Sequence, residues 1–457
     1  MRSTTCSRPC RPTTDPLRDT VKRSVGTPQE PARARGSGFP PGFLWGAATS
    51  SYQVEGRNER SDWWSWEQQP GRIVGGDTSG EGADWWRGRA EEDFSRAAAS
   101  GHNAHRLSLE WARLEPAPGR YDRAAFARYR EILEAAKAAS LAVSLTLQHF
   151  TVPQWLAARG GWTWAGVVER FSAYAARCVE AFSDVVDHWA TLNEPTVLAQ
   201  GGYLGTRWPP GSGSFAAYRA ALVNMLRAHR EGYRAIKAVR AQAQVGLVLA
   251  MPRYEPKRAV WRDRAAARLH DWVFNGNVLT ALADELLLPP FALRPRRLEG
   301  LSQSYDWLGL NYYGRYRVRF APLAFGAAFG RHEQTDSIRT ATSDWGEVHP
   351  EGLIHQLRRL AALGVPLYVT ENGVFEDRPG RQVEYLDAHL EASRRALDEG
   401  IDVRGYFWWT LVDNFEWAEG WGTPFGMFAL DRATQRRSPR PVAALFEAWA
   451  KGRPPRR

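Results

Sequence analysis

The chain has 457 residues, 44% hydrophobic and 24% charged, with a net charge of +10 and an isoelectric point of about 9.7. That composition is globular, no apolar run approaches the ~20 residues of a membrane-spanning helix, and three cysteines form neither a disulfide framework nor a zinc spacing. The basic excess lies at the ends, +5 in residues 1–38 and +7 in residues 432–457, leaving −2 for the body, which argues against a nucleic-acid groove.

Residues 1–38 are rich in Arg, Pro, Thr and Ser and lack an apolar signal core. They read as a flexible basic extension of a cytoplasmic protein, not a secretory signal. Cys6 and Cys10 lie there, whereas Cys178 reads as a small buried side chain. From Phe39 to Ala450 apolar runs alternate with amphipathic stretches without a linker, and 451–457 is a short basic tail. Eight runs read as strands: 43–50, 104–109, 141–149, 185–193, 244–250, 305–313, 366–372 and 403–412. Between most of them lie helical patterns, clearest over 122–140 and longest over 215–242. Eight strand–helix units in one body predict a single (β/α)8 barrel with elaborated loops.

Barrel sites form at the C-terminal ends of the strands. There the sequence places Arg106, His149, Asn193, Glu194, Asn311, Tyr313, Glu371 and Trp409. Glu194 in "ATLNEPT" and Glu371 in "YVTENG" end strands four and seven, 177 residues apart but on one rim. Two carboxyl groups on one rim suit glycosidic cleavage: one protonates the leaving oxygen, and the other attacks the anomeric carbon directly if the gap is about 5–5.5 Å. The attacking group must stay ionised, a task for Arg106 and the Tyr313 hydroxyl; the acid must hold its proton, which suits Glu194 in the field of Glu371. Trp409, Glu416 and Trp417 of "WWTLVDNFEW", with Gln53 and His149, offer flat apolar faces and bidentate polar groups to a sugar ring.

In order, "FLWGAATSSYQVEG", "HRLSLEWARLEP", "TLNEP", "LGLNYY", "YVTENG" and "WWTLVDNFEW" resemble the signature segments of family 1 glycoside hydrolases, the β-glucosidase class, from about Phe39 to Ala450. The resemblance implies that Glu194 is the general acid/base and Glu371 the nucleophile. It implies that Asn193 bonds the sugar 2-hydroxyl and that Arg106, Asn311 and Tyr313 order the two carboxylates. Gln53, His149, Trp409, Glu416 and Trp417 would hold the sugar hydroxyls, with Phe425 beside them and a non-proline cis bond near Trp409–Thr410.

Some positions depart from the family's pattern. "QHFTVPQW" carries Thr151 where many members have Asp. The Ser and Lys of the phospho-sugar branch are absent, and Glu416–Trp417 favours unphosphorylated sugars. The expectation is a retaining β-glycosidase acting on small β-glucosides, then β-fucosides and β-galactosides, without metal or organic cofactor, nucleic acid or membrane. Transglycosylation by the same carboxylates is the nearest rival. A catalytically idle sugar-binding protein is the rival of another class, and it predicts loss of a carboxylate that this chain retains. Aglycone choice falls to loops 62–86 and 320–338.

Overall fold

The computed structural model describes residues 38–292, 294–324, 327–340 and 343–453. The reading of residues 1–37, with Cys6 and Cys10, and of 454–457 lies outside them. Eight parallel strands form a closed barrel: β1 Leu44–Ala48, β2 Ala104–Ser108, β3 Ala142–Gln148, β4 His188–Asn193, β5 Gln244–Ala250, β6 Trp307–Asn311, β7 Leu367–Asn372 and β8 Val403–Trp409. Each strand pairs with its chain neighbours, and β8 returns to β1 through Leu44↔Gly405 and Ala48↔Trp409.

All eight strands fall inside the apolar runs; the fifth coincides with its run and the other seven are shorter than theirs. The first run stops at Ala48 because the chain turns into the short helix Ser51–Glu55, which carries Gln53. The sixth stops at Asn311 and the eighth at Trp409, so Tyr313 and Thr410 stand on the loops beyond. At the other end of the barrel, Asp187 accepts from the Val143 amide at 2.7 Å and takes its stretch out of the fourth strand.

Outer helices form where the periodicity places them. Helix Arg123–Ala138 buries Phe126, Tyr129, Ile132, Leu133 and Ala136, each large apolar group adding about 1.5–3 kcal/mol. Its N-cap, Asp122, accepts from the Ala124 and Ala125 amides at 2.9 and 3.2 Å, a contribution of about 0.5–2 kcal/mol. Helix Phe215–Val239 starts at Ser214, whose side chain accepts from Ala217. Cys178 is fully buried on helix Val167–Phe182. Inside the barrel large rings are accommodated by glycine: a Cβ on Gly246 would lie 2.4 Å from the Trp307 ring.

Between β6 and β7 the chain inserts a small sheet of residues 315–320, 330–332, 337–339 and 344–347, paired also with 253–256. Among the described residues no helix is long and apolar enough to cross a membrane.

Candidate active site

Three of the strand ladders lose their regular register toward the C-terminal end of the barrel, where the site residues stand. The β4–β5 register shifts between Ala190 and Asn193, the β6–β7 register between Val369 and Glu371, and the β7–β8 register between Val369 and Asn372. Such irregularities re-aim side chains that strict alternation would turn outward. Glu194 follows β4 in the left-handed region, φ 48° and ψ 60°, just before helix Pro195–Leu198. A non-glycine residue held there costs of order 1–3 kcal/mol and persists because its surroundings impose it.

These residues converge on one network. Arg106 donates through Nη1 to Glu371 Oε1 at 2.5 Å and through Nη2 to Asn193 Oδ1 at 2.6 Å. Tyr313 donates its hydroxyl to Glu371 Oε2 at 2.6 Å. Asn311 Nδ2 donates to Glu194 Oε1 at 2.6 Å and, more weakly, to Asn193 Oδ1 at 3.2 Å. Asn193 Nδ2 lies 3.1 Å from His149 Nε2. Gln53 donates to Glu416 Oε2 at 3.1 Å, and Trp409 donates its indole N–H to the same oxygen at 3.4 Å. The Trp409–Thr410 peptide is cis.

The two carboxyls are electrostatically unequal. Burial raises both; for Glu194 the charge of Glu371 adds to it, pushing the pKa to about 8 against the Asn311 hydrogen bond and Arg106. On Glu371 burial is opposed directly by Arg106, then by the Tyr313 and Asn311 hydrogen bonds. The pair therefore surrenders its first proton from Glu371, and Glu194 keeps the second. Glu416 is also pushed up to about 8, by burial and against the Trp409 hydrogen bond. Burial, then Arg106, holds His149 neutral, well below its usual range.

Trp417 is held at φ 52° in an aromatic cage of Tyr52, Trp63, Phe150 and Trp208, with ring centroids 4.7–6.0 Å away. The His149 ring stacks on Trp409 at 5.8 Å. Phe425 lies 6.3 Å from the Tyr313 ring, and Trp345 of the inserted sheet packs on both. All twelve residues named from the sequence thus lie in this network or its walls.

Sequence reasoning missed several neighbours. The Thr151 hydroxyl donates to both oxygens of Glu110 at 3.1 and 3.0 Å, so the N-cap residue of helix Trp111–Leu114, just after β2, supplies the carboxylate that its loop lacks. Glu110 stood in the quoted "HRLSLEWARLEP", and the signal was there. Trp345 and the bond from Ser343 Oγ to Glu419 at 2.6 Å bring the inserted sheet to the rim, which no motif announced. Thr370 donates to Asn311 Oδ1 at 2.7 Å, a bond hidden by the strand irregularity. Among the described residues no group of three or more His, Cys, Asp or Glu is arranged to hold a metal ion.

Residues 36–453 match the family model for glycosyl hydrolase family 1. Beta-glucosidase A of Thermotoga maritima is 33% identical over 87% of this chain and 94% of its own length. The beta-galactosidase of Sulfolobus acidocaldarius is 31% identical over 89% and 94%. The solved beta-glucosidase from Thermotoga maritima in complex with glucoimidazole superposes with a TM-score of 0.85 at 29% identity, covering 92% of this chain and 100% of that one. The chain belongs to glycosyl hydrolase family 1 and is an O-glycosyl hydrolase.

Proposed function

We propose that this enzyme is a retaining β-glycosidase that removes terminal, non-reducing β-D-glucosyl residues from small glycosides through a covalent glycosyl-enzyme on Glu371. The observation that carries this reading is the asymmetric support of the two carboxyls: a guanidinium and a phenol on Glu371, a neutral amide on Glu194. Glu371 attacks the anomeric carbon as the C1–O bond breaks, and the Glu194 proton passes to the departing oxygen. Glu194, now ionised, takes a proton from water as that water attacks C1, and the Glu371 ester bond breaks. The carboxylates perform all the proton and nucleophile work, so the reading needs no metal or organic cofactor.

Asn193, oriented by Arg106, faces the sugar 2-hydroxyl; Gln53, His149, Glu416 and Trp417 hold the remaining hydroxyls, and Trp409 and Phe425 wall the ring. β-Fucosides and β-galactosides rank as secondary substrates, in keeping with relatives named beta-glucosidase and beta-galactosidase. Proton NMR of the first sugar released from p-nitrophenyl β-D-glucoside tests this. The β-anomer appearing before mutarotation supports retention; initial release of the α-anomer contradicts it.

A further inference from the structure

The Asn311 amide could face Glu194 with either end, and only one suits an acid. With Nδ2 toward Glu194 Oε1, that oxygen accepts, and the carboxyl proton must reside on the other oxygen, Oε2. With Oδ1 toward it, the proton would be drawn onto Oε1 and away from a departing group. The choice is made behind the amide. Thr370 Oγ1 donates to Asn311 Oδ1 at 2.7 Å, while the second anchor, Asn193 Oδ1, is longer at 3.2 Å. All three residues are buried.

Strict alternation along β7 would send Thr370 to the face opposite Glu371. The structure instead shifts register between Val369 and Glu371, with Glu371 aligned on Asn311, so Thr370 reaches that same residue. Room for it comes from β6: a Cβ on Gly309 would lie 2.6 Å from Thr370 Oγ1 and 2.8 Å from its Cγ2. A ladder irregularity, a glycine and a hydroxyl thus act on one amide.

We propose that Thr370 is a positioning residue for the acid/base carboxyl, fixing the Asn311 amide so that Glu194 carries its proton on the oxygen facing the leaving group. The proposal rests on the reading of Glu194 as the acid/base. Other groups acting on Glu194 are Arg106 from β2, Glu371 from β7, Tyr313 after β6 and Glu416 after β8, none of which the Thr370 hydroxyl touches. Because the Asn311 bond favours the ionised form, losing it moves the basic limb of the pH–rate profile upward.

The test compares Thr370→Val, Thr370→Ser and Glu194→Ala on methyl β-D-glucoside, which needs the acid, and 2,4-dinitrophenyl β-D-glucoside, which hardly does. General acids contribute about 10²–10⁴-fold, so misaiming one should make the Val variant's loss in kcat/KM about tenfold or more larger on the methyl glucoside. Its basic limb should move up, and Ser should restore both. Equal losses on the two substrates with an unmoved basic limb, or wild-type behaviour of the Val variant, overturn the proposal. If Glu194→Ala itself fails to discriminate the substrates, the acid/base reading falls and takes the proposal with it. If Glu194→Ala discriminates and the Val variant does not, only Thr370's role falls. Should Thr370→Val not fold, Gly309→Ala, which crowds Thr370 from Asn311, is read by the same criteria.

Discussion

Replacing Arg106 by Met removes a cation that is 1% exposed and 2.5 Å from Glu371 Oε1. Breaking a buried ion pair by deleting one partner costs about 3–5 kcal/mol, and at this depth solvent screening offers little relief. Glu371 escapes that cost by taking a proton, because burial already raises its pKa and Arg106 is the largest influence holding it down. Protonation disables a nucleophile, and each 1.4 kcal/mol is about a factor of ten, so kcat/KM at neutral pH should fall roughly 10²–10³-fold. The assay is kcat/KM against pH with 2,4-dinitrophenyl β-D-glucoside, which isolates the nucleophile from the acid. The acid limb should move to higher pH, and part of the loss should return above it. Arg106→Lys should fall between, since an ammonium lacks the fork that reaches Glu371 and Asn193 together. A loss below tenfold with an unmoved acid limb would refute the reasoning.

Wild-type activity should fall above about pH 8, where Glu194 loses its proton, and Glu194→Ala should flatten that limb while sparing the first step for dinitrophenyl substrates. Glu416→Gln should raise KM for glucosides more than it lowers kcat. The folded pKa of Glu416 is raised, so the stability it contributes is complete below its unfolded value, near 4.5, and is lost as pH rises through about 8. The Gln variant should therefore melt a few degrees higher than wild type at pH 8 and equal it at pH 4, a difference that calorimetry at the two pH values would expose. Outside the network of site residues, Arg437 donates to Asp93 at 3.0 Å with both side chains buried. Arg437→Met should cost about 3–5 kcal/mol in denaturant melts while leaving KM unchanged.

The barrel was legible because its strands are short apolar runs set between amphipathic helical stretches, and six of the eight runs carry or lead into a site residue toward the C-terminal end. Arg106, Glu194, Asn311 and Glu371 could be placed by counting to a strand's end. Residues whose roles depend on an irregular ladder could not be placed that way. Thr370 is one residue from Glu371, and alternation sends it to the opposite face until the register shift returns it. Trp345 and Ser343 belong to an insertion whose short strands, such as Asp344–Glu347, lack an apolar run long enough to mark them. Their approach to Phe425 and Glu419 follows from the path of the loop, not from local pattern. Thr151 read as a missing carboxylate because its partner, Glu110, comes from the segment after another strand, where it caps helix Trp111–Leu114.

The central claim is that Glu371 forms the glycosyl ester, and trapping tests it most directly. Incubation with 2,4-dinitrophenyl 2-deoxy-2-fluoro-β-D-glucoside, followed by peptide mass spectrometry, should find one fluoroglucosyl group on Glu371 and release one dinitrophenolate per active site. Glu371→Gln should give neither. A label on Glu194 would exchange the two roles, and turnover without any covalent label would contradict a covalent mechanism at this carboxylate.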